Sequence, residues 1–503
     1  MAEQDPLPAL LDPVEALRVE KEKLKLLTDG KPSAEILVVS DLHLGRGREP
    51  DTRRFFGTEN FVSDQAFARW LSAMQPSENK LLILNGDTFD FIRISNVPTL
   101  DKDFDNWSLW LTRAGMPKSA DELKKSTVIS KKEKTFGLQT DDYKCVWKLL
   151  QIYLGHREFF RALSIWVRDG GLLLMLKGNH DLELYWPLVR NAFGAFLKSE
   201  GASASDIQRR FFYCDDSLRI GNLYIEHGHI YDSEQEMVEG QTLPDDPSQL
   251  NLPLATFVAR YLINPLENLR PFLGSIRPTQ RIPWIILRNH PLAGIMILRR
   301  GLTFLRRALV LPNKRNTFWY VIFFGAVILP FLVLAIALLM LDPKIRAWII
   351  GTHPRSSLIL GALGLFFPYI AAAGHEFYLW LKRRRPRPVG EDELGQGVYQ
   401  KIQNEIRNRP FPEGQQIYAL MGHTHDQDVQ SLQVPGGPHV LYLNTGSWIP
   451  VWPEDRPDLD GLVLYPFVRF ELRGGEYRHC YFEWRDDRNQ PAEVYIMAPS
   501  SKK

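Results

Sequence analysis

The chain has 503 residues, of which 61 are basic and 59 acidic, so its net charge is +2 at pH 7. This length exceeds what one hydrophobic core usually supports, which predicts a catalytic domain with sizeable additions. The near-neutral charge excludes a global attraction to nucleic acid. Three cysteines, Cys145, Cys214 and Cys480, lie far apart and in no metal-ligand spacing, so we expect reduced thiols in a cytoplasmic setting.

Residues 1–34 are predicted to form a helical strap that packs on the domain. They contain Glu, Asp and Lys throughout and lack the apolar run of a secretory signal, so this part is expected to stay in the cytosol. Apolar residues recur at the spacing of an amphipathic helix that ends near Gly30, at Val14, Leu17, Leu24 and Leu27.

Five short apolar runs each stop at a cluster of Asp, His or Asn residues. Continuous runs of this kind suit strands buried on both faces, and in α/β sheets ligands gather beyond the carboxyl ends of the strands. The runs are Ile36–Val39, Leu81–Leu84, Leu172–Leu176, Leu223–Ile225 and Tyr418–Met421. Two later runs, Val440–Leu443 and Leu462–Leu472, are predicted to belong to the second sheet of a sandwich.

The interval between Asp87 and Gly178 is longer than one crossover requires, which predicts an insert at about residues 95–142. Asp101–Asp142 is charged and aromatic. It could line a substrate pocket, or it could be a solvated helical insert with a few packing aromatics. Tyr143–Val167 is predicted to be one helix that leads into the third strand.

Two apolar segments, Thr317–Leu341 and Ser357–Leu381, are long enough to cross a bilayer as helices. Their outer flanks, Arg299–Arg315 and Lys382–Arg387, are strongly basic, so the positive-inside rule places both flanks in the cytoplasm. We predict a transmembrane hairpin over residues 317–381 that holds the chain in the cell (inner) membrane, with the catalytic part in the cytoplasm. Two buried helices of a soluble insert are the alternative.

The polar clusters offer the ligands that a pair of divalent ions needs. Hydrolysis of a phosphate ester is extremely slow without catalysis, and two ions can activate water and hold the phosphoryl oxygens. Such a pair requires a bridging carboxylate and several nitrogen or oxygen donors. In Asp41-Leu42-His43 and His423-Thr424-His425 the outer side chains are two apart and share a face of an extended strand. Each residue alone is equally compatible with a turn cap or an ordinary histidine.

Taken in order, the clusters resemble the calcineurin-like metallophosphoesterases, whose pattern is D-x-H, G-D, G-N-H-[DE], H and G-H-x-H. The resemblance implies an α/β fold, a four-layer α/β-β/α sandwich. It implies that His180 faces the substrate and is oriented by Asp181. It also implies seven metal ligands, with Asp87 as the bridge, Asp41, His43 and His425 on the first metal, and Asn179, His227 and His423 on the second.

The ligand set of carboxylate, imidazole and amide without thiolate suits Mn²⁺, Fe or Zn²⁺, and the resemblance favours two Mn²⁺ ions. The Asp41-Leu42-His43-Leu44 opening and the Asn444–Trp448 stretch resemble the UDP-2,3-diacylglucosamine pyrophosphatase branch, which acts on a lipid at the cytoplasmic membrane face. This chain departs from that branch at His180, where the branch has Arg. We therefore expect a phosphomonoester, phosphodiester or pyrophosphate substrate, with a lipid-linked substrate as a hypothesis.

Several neighbouring residues have open interpretations. His229 and Asp232 are predicted to lie beside the site, and His156, His290 and His439 to be structural. Arg46 and Arg48 could bind substrate phosphate or be solvated loop arginines. The rival function is a non-catalytic membrane scaffold or sensor, and the oligomeric state stays open. The predicted domains are the strap 1–34, the first phosphoesterase part 35–250, a basic and interfacial segment 251–316, the hairpin 317–381, and the second phosphoesterase part 388–503.

Overall fold

The structure is a computed structural model that describes residues 33–49, 52, 54–232, 240–253, 255–256, 259–267, 271–273, 416–433, 439–451 and 461–494. The chain divides into two compact units, one formed by Met1–Thr256 with Asp392–Lys503 and the other by Phe257–Glu391. The predicted hairpin over 317–381 lies outside the described residues, as do His290, most of the basic segment and all of the strap except Ser33 and Ala34.

The strands of the first unit follow the predicted apolar runs closely. In chain order they are β1 (Glu35–Val39), β2 (Lys80–Asn85), β3 (Leu172–Leu176), β4 (Phe211–Cys214), β5 (Ser217–Ile220), β6 (Leu223–Glu226), β7 (Thr242–Leu243), β8 (Asp246–Leu250), β9 (Ile417–Met421), β10 (Gln427–Gln433), β11 (His439–Thr445), β12 (Pro450–Val451), β13 (Leu462–Val463), β14 (Pro466–Arg473), β15 (Glu476–Arg485) and β16 (Gln490–Glu493).

Two sheets organise these strands. The larger sheet has the order β16-β15-β14-β1-β2-β3-β4, in which β1 to β4 are parallel and β14 pairs antiparallel with β1. The second has the order β10-β11-β9-β6-β5, with β9 parallel to both β11 and β6. Parallel β1, β2 and β3 therefore end at one edge of the larger sheet, while β6 and β9 end together at one edge of the second.

The described α-helices of the first unit lie mostly between its early strands. They are α1 (Asp64–Ala73), α2 (Asp101–Arg113), α3 (Ala120–Ser126), α4 (Lys131–Phe136), α5 (Asp142–Gly155), α6 (Arg157–Arg168), α7 (Pro187–Ser199) and α8 (Ala204–Arg210). Single 3₁₀ turns occur at Phe91–Arg93, Leu182–Tyr185 and His229–Tyr231.

The parallel strands β1, β2 and β3 of the larger sheet are buried on both faces, as the continuous apolar runs predict. Alternate residues of β1 point to opposite sides, so Leu37 and Val39 join the cluster formed with the helices, while Ile36 and Val38 join a second cluster. That second cluster includes Leu420 of β9 and other residues of the smaller sheet. Helices, the larger sheet and the smaller sheet therefore pack in succession, which confirms the mixed α/β class.

Two details of the predicted elements are wrong. The run Leu462–Leu472 does not belong to the second sheet: its main part forms β14, which pairs with β1 in the larger sheet. The helix predicted over Tyr143–Val167 is broken into α5 and α6, because His156 has φ −128° and ψ 39°. The break places the His156 ring between the buried Glu59 carboxylate and the partly buried Asp64 carboxylate.

The insert consists of α2 to α4, and its tryptophans are part of the core. Trp107 is fully buried and its indole N–H donates to the Tyr143 carbonyl at 2.9 Å, while Trp110 packs on Phe196. These contacts favour the packing interpretation of the aromatic insert over a pocket lined by these tryptophans.

The second unit is described only in part, by a π-helix at Ala259–Ile263 and a helix α9 (Asn264–Glu267). Within the described ranges of both units, no helix combines the length and the apolar composition required to cross a membrane.

Candidate metal centre

The loops that follow β1, β2, β3, β6 and β9 bring all seven predicted ligands into one cluster of contacts. Three overlapping groups of acidic and histidine side chains have ligand atoms within 4.8 Å of one another. The groups are Asp41 with His43 and His425, Asp87 with His227 and His423, and His43 with Asp87 and His180. Nearly all of these side chains are buried or largely buried, so the structure contains His and Asp groupings that can hold a metal ion.

The first group consists of Asp41, His43 and His425. The Nε2 atoms of the two histidines lie 3.0 Å apart, and His425 Nε2 lies 3.4 Å from Asp41 Oδ1. His43 Nε2 is 3.8 Å from the same carboxylate oxygen. Two imidazole nitrogens and an oxygen thus point toward one small volume, which is the arrangement of lone pairs that a cation requires.

The second group consists of Asp87, Asn179, His227 and His423. The amide oxygen of Asn179 lies 3.1 Å from His423 Nδ1 and 3.3 Å from His227 Nε2. His227 Nε2 is also 3.3 Å from Asp87 Oδ2. The outward nitrogens are fixed, because His227 Nδ1 lies 2.8 Å from the Asn85 carbonyl oxygen and His423 Nε2 lies 3.1 Å from Asp232 Oδ2. Such outer partners fix the tautomer of a metal-binding histidine.

Asp87 connects the two groups through a single atom. Its Oδ2 lies 3.3 Å from His227 Nε2 and 3.7 Å from His43 Nε2. Although burial alone would raise the pKa of Asp87, the neighbouring His227, His180 and His43 hold it well below its usual value. The carboxylate is therefore ionised and stands between the two groups, as a bridging ligand must.

The backbone at the ligands is strained. Five of the eight non-glycine residues with positive φ among the described residues are predicted ligands, namely Asp41, His43, Asp87, His423 and His425. Left-handed backbone costs energy in non-glycine residues and concentrates at functional sites. The strain indicates that the loops are shaped to direct these side chains rather than to make the most stable turns.

Glycines beside the ligands allow the loops to approach closely. A Cβ at Gly86 would lie 2.4 Å from the His227 ring, one at Gly178 would lie 2.2 Å from Asp87 Oδ1, and one at Gly422 would lie 2.4 Å from Asp41 Oδ2. The glycines of the G-D, G-N-H-D and G-H-T-H motifs are thus required by packing between ligand loops.

We expect Gly178→Ala to weaken divalent-metal binding by roughly 10- to 100-fold, the loss typical when a group that supports a metal ligand is disturbed. The added methyl would displace the Asp87 carboxylate that both groups share. Calorimetric titration of the metal-free chain with Mn²⁺ measures the effect. Gly194→Ala is the matched control, because a Cβ there meets only Ile207 at 3.6 Å. Equal metal affinity in the two variants would contradict the packing role of Gly178.

Ser40, Asn444 and Thr445 support the first group, and the sequence interpretation missed their role. The Ser40 hydroxyl donates to Asp41 Oδ2 and contacts Thr445 Oγ1, and the Asn444 amide donates to the Gly422 carbonyl at 2.7 Å. The loop after β11 thereby joins the loops after β1 and β9. The sequence offers one signal for the role of Ser40, namely its position directly before Asp41.

His180 lies beside the first group, but its carboxylate partner is not the predicted one. Its ring is 4.6 Å from that of His43, and its Nδ1 lies 3.2 Å from Asp90 Oδ2. Burial alone would lower the pKa of His180, yet Asp90 and Asp87 outweigh burial and raise it to about 9. His180 is therefore charged at neutral pH.

Asp181 instead supports the backbone of the ligand loops. Its carboxylate accepts hydrogen bonds from the N–H groups of Thr88 at 2.9 Å and Gly178 at 2.6 Å. Burial, assisted by Asp87, raises the pKa of Asp181 to about 7. The predicted pairing of Asp181 with His180 is thus replaced by Asp90, which follows Asp87 by three residues and was missed because no motif singles it out.

Of the neighbouring histidines, His229 and His156 lie where they were predicted, and His290 lies outside the described residues. The His229 ring is 5.5 Å from the His227 ring, so His229 lies beside the centre, as does Asp232. His156 is structural, with Nδ1 3.0 Å from Asp64 and Nε2 3.2 Å from Glu59, and His439 is exposed on β11.

Comparison of the chain with protein-family models, with curated proteins and with solved structures finds no match. Function is therefore inferred from the residues of the centre.

Proposed function

We propose that the chain is a membrane-attached phosphoesterase that depends on two divalent metal ions, of the calcineurin-like type. The single observation that carries the proposal is the convergence of two ligand groups on the shared Asp87 carboxylate. A pair of divalent ions at such a site supplies ionised water near neutral pH and neutralises charge on a phosphoryl group. The four-layer sandwich, with a second helical layer over the outer face of the smaller sheet, is part of the same proposal.

The proposed ligand assignment follows the two groups. Asp41, His43 and His425 would hold one ion, and Asn179, His227 and His423 the other, with Asp87 shared. The nitrogen and oxygen donors, without a thiolate, are compatible with Mn²⁺, Fe and Zn²⁺, and Mn²⁺ is our first choice. Metal analysis of the purified chain after loading should find about two ions per chain. Retention of no ion at micromolar metal would favour the non-catalytic scaffold.

His180 is proposed as the residue that acts on the leaving group. It is protonated at neutral pH and partly exposed beside Asp87. A water molecule loses one proton to solvent and its oxygen bonds to phosphorus, while the phosphorus–oxygen ester bond breaks. The leaving oxygen takes a proton from the His180 imidazolium, and solvent restores the proton to His180. Asp90 positions His180 and keeps it charged, while Arg93 Nε donates to Asp90 Oδ2 at 2.7 Å.

Membrane attachment rests on the predicted spans over residues 317–381, and it makes a lipid-linked phosphoester the preferred substrate hypothesis. The full chain in detergent, with Mn²⁺, should hydrolyse at least one of p-nitrophenyl phosphate, bis-p-nitrophenyl phosphate and a nucleotide-lipid pyrophosphate. These three probes separate monoesterase, diesterase and pyrophosphatase activity. Absence of turnover on all three would reject the proposal.

Asp90→Asn should reduce hydrolysis by about 10- to 100-fold, the usual cost of losing an outer partner of a catalytic or metal-binding histidine. The neutral amide no longer raises the pKa of His180, so the acid form disappears at lower pH. The alkaline limb of the pH–rate profile should therefore move toward neutral pH. Asp169→Asn, at a half-exposed residue paired with Arg168, is the control. An unmoved alkaline limb would show that Asp90 acts only on folding.

A further inference from the structure

A short antiparallel ribbon with three arginines follows the first ligand loop. It consists of Arg46–Glu49 and Arg54–Phe56, and we call it the arginine ribbon. Arg48 forms a bridge with Phe55, and the N–H of Phe56 donates to the Gly47 carbonyl at 3.1 Å. The described residues of the ribbon are therefore paired by backbone hydrogen bonds.

The Arg46 guanidinium packs on an aromatic ring and makes no ion pair with the described residues. Its Cζ lies 3.8 Å from the centre of the Phe56 ring, and among the described residues Arg46 has neither a hydrogen bond nor an ion pair through its side chain. Burial lowers the pKa of Arg46, although Glu49 opposes the shift. A guanidinium stacked by its face keeps the N–H groups of its edge for a bidentate contact with an oxyanion.

The backbone under Arg46 is fixed by a buried cluster. The fully buried Glu59 carboxylate accepts hydrogen bonds from the N–H groups of Gly45 and Gly47. A Cβ at Gly155 would lie only 2.1 Å from the Arg46 carbonyl oxygen, so the ribbon packs tightly on the end of α5. Arg46 is therefore presented on a rigid support, which reduces the entropy lost on binding.

Both ends of the ribbon are connected to residues of the metal centre. Arg46 follows the ligand His43 by three residues. Beyond Phe56, the Thr58 carbonyl accepts a hydrogen bond from Arg93 at 3.4 Å, and Arg93 in turn donates to Asp90, the partner of His180. The ribbon is thus connected through the chain to the ligand His43, and through Thr58, Arg93 and Asp90 to His180.

We propose that Arg46 binds a second phosphoryl group of the substrate, located on the leaving-group side of the phosphorus that is attacked. This inference rests on the proposed phosphoesterase function and narrows it to substrates with two phosphoryl groups, such as a pyrophosphate diester or a bisphosphate. Bidentate hydrogen bonds from one guanidinium suit a phosphoryl group, whereas a phosphomonoester with a neutral leaving group would leave Arg46 unused.

Calorimetric binding to the full chain in detergent, with Mn²⁺, tests the inference without turnover. The probes are inorganic phosphate and methylenediphosphonate, which cannot be hydrolysed. The wild-type chain should bind the diphosphonate roughly 10- to 100-fold more tightly than phosphate, the fold-change of one hydrogen-bonded contact to a charged group. Arg46→Gln should remove most of this preference and leave phosphate binding unchanged. Arg54→Gln, an equal charge change at an exposed residue of the same ribbon, should keep it.

Thermal unfolding of each variant shows whether it is folded. Arg46→Lys keeps the positive charge but removes the planar guanidinium fork, so this variant should lose part of the preference for the diphosphonate. The inference is overturned if the wild-type chain lacks a preference for the diphosphonate, or if Arg46→Gln and Arg54→Gln behave alike. Different results would reject the proposed function itself. These are phosphate binding that requires neither Mn²⁺ nor Asp87, and absence of turnover on all three substrate probes.

Discussion

Asp87→Asn should abolish metal-dependent hydrolysis, with a loss well beyond the roughly 10- to 100-fold expected for an outer partner of a ligand. The Asp87 Oδ2 atom is close to ligand nitrogens of both groups, so the amide removes the one negative charge that the two groups share. It also removes the carboxylate oxygen that faces His227 Nε2 at 3.3 Å. Steady-state rates with each substrate probe, and metal content per chain, measure the result.

The control for this substitution is Asp121→Asn, at an exposed position of α3 far from the ligand loops in sequence. It should keep the activity and the metal content of the wild-type chain. Wild-type turnover in Asp87→Asn, with two ions retained, would exclude a shared bridging carboxylate. Loss of turnover in both variants would point to a general effect of the amide substitution rather than to the centre.

His156→Ala should lower the free energy of unfolding by about 3–5 kcal/mol near pH 6, because it leaves the buried Glu59 carboxylate without its cationic partner. His156 is buried between Glu59 and Asp64. Burial alone would lower its pKa, but Asp64 and Glu59 raise it from 6.5 to about 10. Glu59 also holds the N–H groups of Gly45 and Gly47, so the loss extends to the loop behind His43.

The stability effect of His156 should depend on pH with a defined sign. Its pKa is higher in the folded chain than in the unfolded chain, so its contribution is complete below pH 6.5 and is lost as the pH rises toward about 10. Urea unfolding at a series of pH values should show the gap between wild type and His156→Ala closing over this window. His439→Ala, at an exposed histidine of β11, should show no such closing gap. A gap that is constant with pH would mean that His156 is neutral.

The positions of the ligands were predictable because metal chemistry and strand patterning agree. Each ligand cluster directly follows an apolar run, and each such run formed a strand, for example Leu172–Leu176 as β3 before Asn179. Parallel strands end at one edge of a sheet, so residues far apart in sequence meet there. The glycines next to the ligands also follow from this geometry, because loops at a crowded edge must approach closely.

The features that were not predictable depend on tertiary contacts that leave little local signal. The apolar spacing continues across His156, so only its contacts with Glu59 and Asp64 reveal the helix break. The assignment of β14 to the larger sheet depends on pairing with β1, since an alternating strand fits either sheet. The role of Asp181 was implied by the family resemblance, whereas the contact of Asp90 with His180 joins two different loops and is visible only in the folded chain.

The parallel pairing of β6 with β9 joins Leu223 to Tyr418, with the whole second unit between them in the chain. Closure of so long an intervening segment carries an entropic cost, so this pairing is expected late in folding. A polypeptide emerging from the ribosome contains five of the seven proposed ligands before the second unit is made, and His423 and His425 only afterwards. In the proposed enzyme, synthesis of the membrane-associated unit therefore precedes the first catalytic turnover.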